Sequence, residues 1–179
     1  MSIIDTIKAK VRGTINLKQL IKDGLIIGKN FNVQEGVIID PGHCWLIEIG
    51  DNVTLAPRVH ILAHDASMNK SLGYVKIGRV NIGNNVFIGA GTIVLPNVTI
   101  GDNTIIGAGS VVTHSLERNG VYVGNPIRKI YNYNEWIEKE KKLINHVEKF
   151  DESYKIYAIT KEKKDEMKKK LEKEIGYIV

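Results

Sequence analysis

The chain has one cysteine, Cys44, in 179 residues, so it holds no internal disulfide and is compatible with a reducing compartment. No segment approaches 18 consecutive apolar residues, which excludes an ordinary membrane-spanning helix. The first residues, MSIIDTIKAKVRG, lack the apolar core of a signal peptide, and the expected location is cytoplasmic. Aromatic residues make up only 7% of the chain, with no basic stripe interleaved with aromatics, which argues against nucleic-acid binding. Nor is there a strong excess of one charge. Residues 1–130 carry 13 Lys/Arg against 9 Asp/Glu, and residues 131–179 carry 12 against 11, so the tail is dense in charge but nearly balanced, as solvated helix faces are.

What the chain does have is a period of six. Ile82, Ile88, Val94, Ile100, Ile106 and Val112 recur at every sixth position. Glycine follows four of the first five, at 83, 89, 101 and 107, and the position four after each of those five anchors is small or β-branched: Val86, Thr92, Val98, Thr104 and Ser110. Neither the 3.6-residue helix nor the two-residue strand alternation gives this spacing. It predicts a solenoid of short parallel strands, three hexads to a triangular coil, with glycine supplying corner conformations that a Cβ would hinder. The ladder exists earlier as Ile27, Val33 and Ile39, then Ile49, Leu55 and Ile61, and it returns through Ile77 and Gly78 before locking at Ile82. The interruptions, 40–48 and 62–76, are expected to be loops thrown out from the prism, and function is expected in them.

The domain plan that follows is an N-terminal helical cap over 1–24, a coil domain over 25–130 and a helical extension over 131–179. Asn16 is placed to cap a helix over 17–23 that stops at Gly24. In the extension, Asn134 can cap a helix running to Phe150, and Thr160 a second over 161–174 with Gly176 beyond its end; their apolar stripes read as docking faces.

The run IGNNVFIGAGTIVLPNVTIGDNTIIGAGSVVT, the AHD placed before an irregular loop and the closing GNPIRKI together resemble the hexapeptide-repeat acyltransferases, in particular the galactoside, maltose and capsular-polysaccharide O-acetyltransferase branch. The resemblance covers residues 25–130. It implies a mainly β fold, a left-handed parallel β-helix, assembled as a homotrimer with acetyl-CoA bound in a groove between subunits and no metal required. Transfer to a sugar hydroxyl needs a base, and His64 matches the loop histidine that the family uses. The hydroxyl then attacks the acetyl carbonyl directly. Asp65 can orient the imidazole, contact the acceptor or cap its own turn. Asp40 and His43, near Trp45, are candidate acceptor contacts. For the donor, the resemblance implies backbone at Gly89 and Ala90 for the oxyanion, Ala90, Ala108 and Gly109 along the pantetheine, and His114, Arg128 and Lys129 toward the nucleotide. Two departures from the family stand out, His114 in place of a frequent lysine and Phe87 in place of a frequent tryptophan. The same scaffold serves sugar-amine and antibiotic acetyltransferases. A zinc hydratase using His60 and His64, four residues apart, and a non-catalytic binding scaffold are the readings from other classes.

Overall fold

The computed structural model describes residues 15–179, so most of the expected N-terminal cap lies outside the described residues. The chain divides into two compact units, the first ending at Tyr133 and the second running Asn134–Val179. In the first unit, α1 (Leu17–Lys22) begins where the Asn16 side chain accepts from the Gln19 amide and buries Leu20 at the open end of the core.

The rest of the first unit is a three-sided prism. Each turn of chain places one short strand on each face. The first face is built by β1 (Ile26–Ile27), β4 (Ile47–Ile49), β9 (Val80–Ile82) and β12 (Val98–Ile100). The second takes β2 (Asn32–Val33), β5 (Thr54–Leu55), β10 (Phe87–Ile88), β13 (Thr104–Ile106) and β15 (Gly120–Val123); the third takes β3 (Ile38–Ile39), β6 (His60–Ile61), β11 (Ile93–Val94) and β14 (Val111–Val112). All of these pairings are parallel, and the second face ends in the antiparallel strand β16 (Arg128–Asn132). The six anchors from Ile82 to Val112 are buried, as are Ile39, Ile49, Leu55 and Ile61. Each contributes about 1.5–3 kcal/mol by leaving water. The buried hydroxyls at the fourth position are satisfied inside the coil: Thr104 donates to the Gly101 carbonyl at 2.7 Å and Ser110 to that of Gly107 at 2.7 Å.

Three details differ from the sequence reading. Ile77 is not an anchor, because it is 56% exposed and pairs antiparallel with His64 in a hairpin of β7 (His64–Asp65) and β8 (Lys76–Ile77), off the prism. The ladder resumes at Val80. The glycines after the anchors are there for close approach between coils: a Cβ on Gly83 would meet the Asp102 amide at 2.9 Å, and one on Gly89 the Ala108 amide at 2.5 Å. Most of the left-handed corner conformations fall instead on asparagine. Asn30, Asn52, Asn85, Asn103 and Asn119 all have φ between 51° and 58°, and their amides hydrogen-bond from coil to coil at 2.9–3.0 Å. Short polar side chains tolerate this region, and the three inner amides, Asn52, Asn85 and Asn103, both give and take in the ladder.

Replacing Asn85 by alanine should remove two ladder bonds and strain the corner, lowering stability by about 2–3 kcal/mol. Asn85→Gly, which relieves the strain but not the lost bonds, should fall between wild type and alanine in chemical denaturation. Equal losses would show that the left-handed backbone contributes nothing.

The helix α2 (Tyr133–Ile144) has all but its first residue in the second unit, which also contains α3 (Lys161–Lys170), capped by the Thr160 hydroxyl. The expected helix to Phe150 is six residues shorter, because Glu148–Phe150 forms β17 and pairs in parallel with β18 (Gly176–Ile178). Gly176 is therefore a strand residue. A Cβ there would meet Leu171 Cδ2 at 2.8 Å and the Phe150 ring at 3.0 Å, so the small residue lets the strand lie against Phe150. No helix among the described residues is long and apolar enough to cross a membrane.

Candidate active site

Asp40 leaves the third face directly after β3, and His64 begins β7, 24 residues later. The register brings them together. Ile39 pairs with Ile61, so the residues that follow these two anchors leave the same corner side by side. Asp40 is buried, and its carboxylate takes three donors: the Gly42 amide on Oδ1 at 3.0 Å, the Ala63 amide on Oδ2 at 3.0 Å, and Nδ1 of His64 on Oδ2. Burial by itself would push the Asp40 carboxyl up, but the hydrogen bonds from His64, Ala63 and Gly42 outweigh it and hold the group below its ordinary value. An ionised carboxylate only accepts, so the neutral imidazole must carry its proton on Nδ1 and keep its lone pair on Nε2.

His64 lines a cleft of about 480 Å³ at the corner between the third and first faces. Leu62, Asp65, Ala66 and Lys76 wall it from the loop, and Leu95, Pro96 and Thr113 from the next two coils. Lys76 lies across the hairpin from Asp65.

Both carboxylates among the expected acceptor contacts hold hydrogen bonds within the chain. Asp40 has no exposed oxygen to offer, because its side chain is fully buried and both oxygens accept. Asp65 accepts from the Ser67 amide at 2.9 Å and caps its own turn; the backbone and side-chain hydrogen bonds from Ser67 hold its carboxyl low. His43 stands beside the pair. Its ring lies 5.0 Å from that of His64 and 5.4 Å from that of Trp45. One ligating atom from each of Asp40, His43 and His64 lies within 4.8 Å of the others, which makes them a possible cation site. His60 is not in this group; it sits on the outward side of β6, where Ile61 points into the core.

The expected donor residues are not gathered around His64 in one chain. Gly89, Ala90, Ala108 and Gly109 lie at the corner between the second and third faces, where Ala90 and Gly91 line a separate cleft of about 680 Å³ with Glu35, Gly36, Pro57 and Arg58. The Gly89 amide cannot serve an oxyanion, because it donates to the Ile106 carbonyl at 2.8 Å to hold adjacent coils together. His114 lies at the His64 corner, its Nδ1 3.2 Å from the Thr113 hydroxyl, and Arg128 and Lys129 are exposed on β16. Sequence reading does not pair Asp40 with His64. The available signal was the 22-residue step between Ile39 and Ile61, which stacks 40 beside 62–64.

A family model for bacterial transferase hexapeptide (six repeats) matches residues 79–114. Protein CapG of Staphylococcus aureus is 39% identical over 126 residues, covering 68% of this chain and 73% of that protein. The crystal structure of a maltose O-acetyltransferase from Clostridium difficile 630 superposes with a TM-score of 0.54 at 34% identity, covering 72% of this chain and 83% of the other. The chain belongs to the hexapeptide-repeat acetyltransferases. Its prism is accordingly a left-handed parallel β-helix, an exception to the usual right-handed crossover. A galactoside acetyltransferase solved in complex with coenzyme A is similar at 32% identity and a TM-score of 0.54, covering 68% of this chain and 72% of the other. Against several other curated relatives this hexapeptide-repeat chain spans 45% to 58% of their length.

Proposed function

We propose that this hexapeptide-repeat protein transfers an acetyl group from acetyl-CoA to a hydroxyl of a saccharide, with His64 as general base and Asp40 as its positioning residue. The observation that carries the reading is the hydrogen bond from His64 Nδ1 to a buried carboxylate, which leaves Nε2 as the acceptor in a side chain that lines a cleft. Nε2 takes the proton from the acceptor hydroxyl as its oxygen forms a bond to the acetyl carbon. As the thioester C–S bond breaks, the same proton passes to the departing sulfur, so no acyl-enzyme forms and the base is regenerated.

The donor is proposed to lie along the corner of Ala90 and Gly91. The small residues there leave room for a narrow amide chain, and Arg128 and Lys129 suit phosphate groups. That corner and the His64 corner flank opposite edges of the third face, so one chain holds the base and another edge of the prism holds the donor track. A homotrimer reconciles the two, with the donor corner of one copy meeting the base corner of the next. Outward-facing Ile38 and Phe87, each 44% exposed, are apolar surface available for that packing. The assembled protein should have the mass of three chains in solution scattering.

Release of free thiol from acetyl-CoA, followed colorimetrically against a panel of mono- and oligosaccharides, tests the activity. Acceptor-dependent release is the expected result; thiol release with none of the sugars would overturn the saccharide reading.

A further inference from the structure

The acyl-transfer reading uses Asp40 and His64 but leaves His43 unexplained. Nδ1 of His43 is buried and has no hydrogen-bond partner among the described residues, yet it lies 4.0 Å from Oδ2 of Asp40, the same oxygen that takes Nδ1 of His64. At 4.0 Å the two atoms are beyond hydrogen-bond reach, so the buried nitrogen stays unmatched in either tautomer. A positive ion between the three groups would compensate it.

We propose that Asp40, His43 and His64 form a binding site for a zinc-type divalent cation that silences the base when occupied. Two imidazoles and one carboxylate, each with a ligating atom within 4.8 Å of the others, are a donor set suited to zinc, leaving a coordination position for water. The silencing follows from proton placement on His64. To ligate through Nδ1 the ring must give up the Nδ1–H that now bonds Asp40, and the neutral ring then carries its proton on Nε2. The proton count of the imidazole is unchanged, but its lone pair is on the metal and Nε2 can no longer take a proton from an acceptor. The same carboxylate thus holds the active tautomer without metal and completes the ligand set with it. The site differs from a catalytic zinc centre, because occupancy removes the base. The silencing rests on the acyl-transfer reading; the binding does not.

The test titrates full-length protein, first stripped with a chelator, with Zn²⁺ by calorimetry, and with Co²⁺ by visible absorption, whose bands report the ligand set. One site per chain is expected. Affinity should fall by about tenfold or more in His43→Ala, in the better-filled His43→Gln and in Asp40→Asn, while His146→Ala in the second unit binds as wild type does. No binding, or binding that both His43 variants retain, would overturn the site. In the thiol-release assay, saturating Zn²⁺ should abolish wild-type turnover and a chelator restore it, while the His43→Gln variant, whatever its basal rate, no longer responds to the ion. Stoichiometric binding through these residues without loss of turnover would overturn the silencing. Absence of turnover in metal-free wild type would instead count against the acyl-transfer reading and leave the binding result standing.

Discussion

Replacing His64 by alanine is expected to lower kcat for acetyl transfer by two to four orders of magnitude, the typical loss when a positioned acid–base group is removed. In energy this is about 3–5 kcal/mol of transition-state stabilisation. The His64 side chain is 37% exposed and belongs to a two-residue strand off the prism, so its removal opens no core cavity, but it takes one hydrogen bond away from the buried Asp40 carboxylate and should lower stability by about 1–3 kcal/mol. An unchanged circular dichroism spectrum at the assay temperature would therefore assign the loss of kcat to chemistry. KM for acetyl-CoA should change little, because the proposed donor contacts come from Ala90, Gly91, Arg128 and Lys129 and not from His64. Full activity in the alanine variant would remove His64 from the mechanism; a rise in KM with unchanged kcat would make it a binding residue.

The anchors show how much of this architecture is legible in a linear sequence. A hexad places one side chain per face in the core whatever the chemistry outside, so Ile82 to Val112 announce the prism without reference to any other residue. The same independence hides the corners. Asn85 is one polar residue among several in IGNNVF, and only stacking on Asn52 and Asn103 makes it part of a ladder. The glycines were legible as requirements but for the wrong reason, since periodicity marks where a Cβ is excluded without saying whether backbone twist or a neighbouring coil excludes it. Ile77 was misread because an aliphatic-glycine pair occurs in a hairpin as readily as in a coil. Strand β17 was hidden because its partner, Gly176–Ile178, is 28 residues away from Glu148 in register and helical spacing is a local signal.

The candidate site divides in the same way. His64 is visible from its place at the mouth of a loop. Asp40 is visible as a residue but not as a partner, because its function depends on a register 22 residues long with an insertion inside it. The proposed donor residues lie at another corner of the prism, and spacing within one chain does not relate that corner to His64. A single chain holds the proposed base and its carboxylate partner in finished form, since both come from one corner of consecutive coils.

That finished pair makes Asp40→Asn the more incisive substitution. The carboxylate accepts three hydrogen bonds, one on Oδ1 and two on Oδ2, and an amide of the same shape has only one accepting oxygen. If the amide oxygen faces Ala63 and His64, its NH₂ is pressed against the Gly42 N–H. If it is turned round, its NH₂ faces His64 and selects the tautomer with the proton on Nε2, which cannot act as a base. Either arrangement buries unmatched donors, with an expected loss of about 1–3 kcal/mol in stability. The second also lowers kcat by about 10²–10⁴ while leaving the imidazole in place. Stability should depend on pH with a definite sign. Because the Asp40 carboxyl is held below its ordinary value of 3.8, the wild-type advantage over Asp40→Asn is complete above that value and fades as pH falls through the lower value of the folded state. Denaturation of both proteins between neutral pH and the acid limit of folding measures this directly. A wild-type advantage that grows toward acid would mean that Asp40 is protonated in the folded protein, and the orientation of His64 would then need another source.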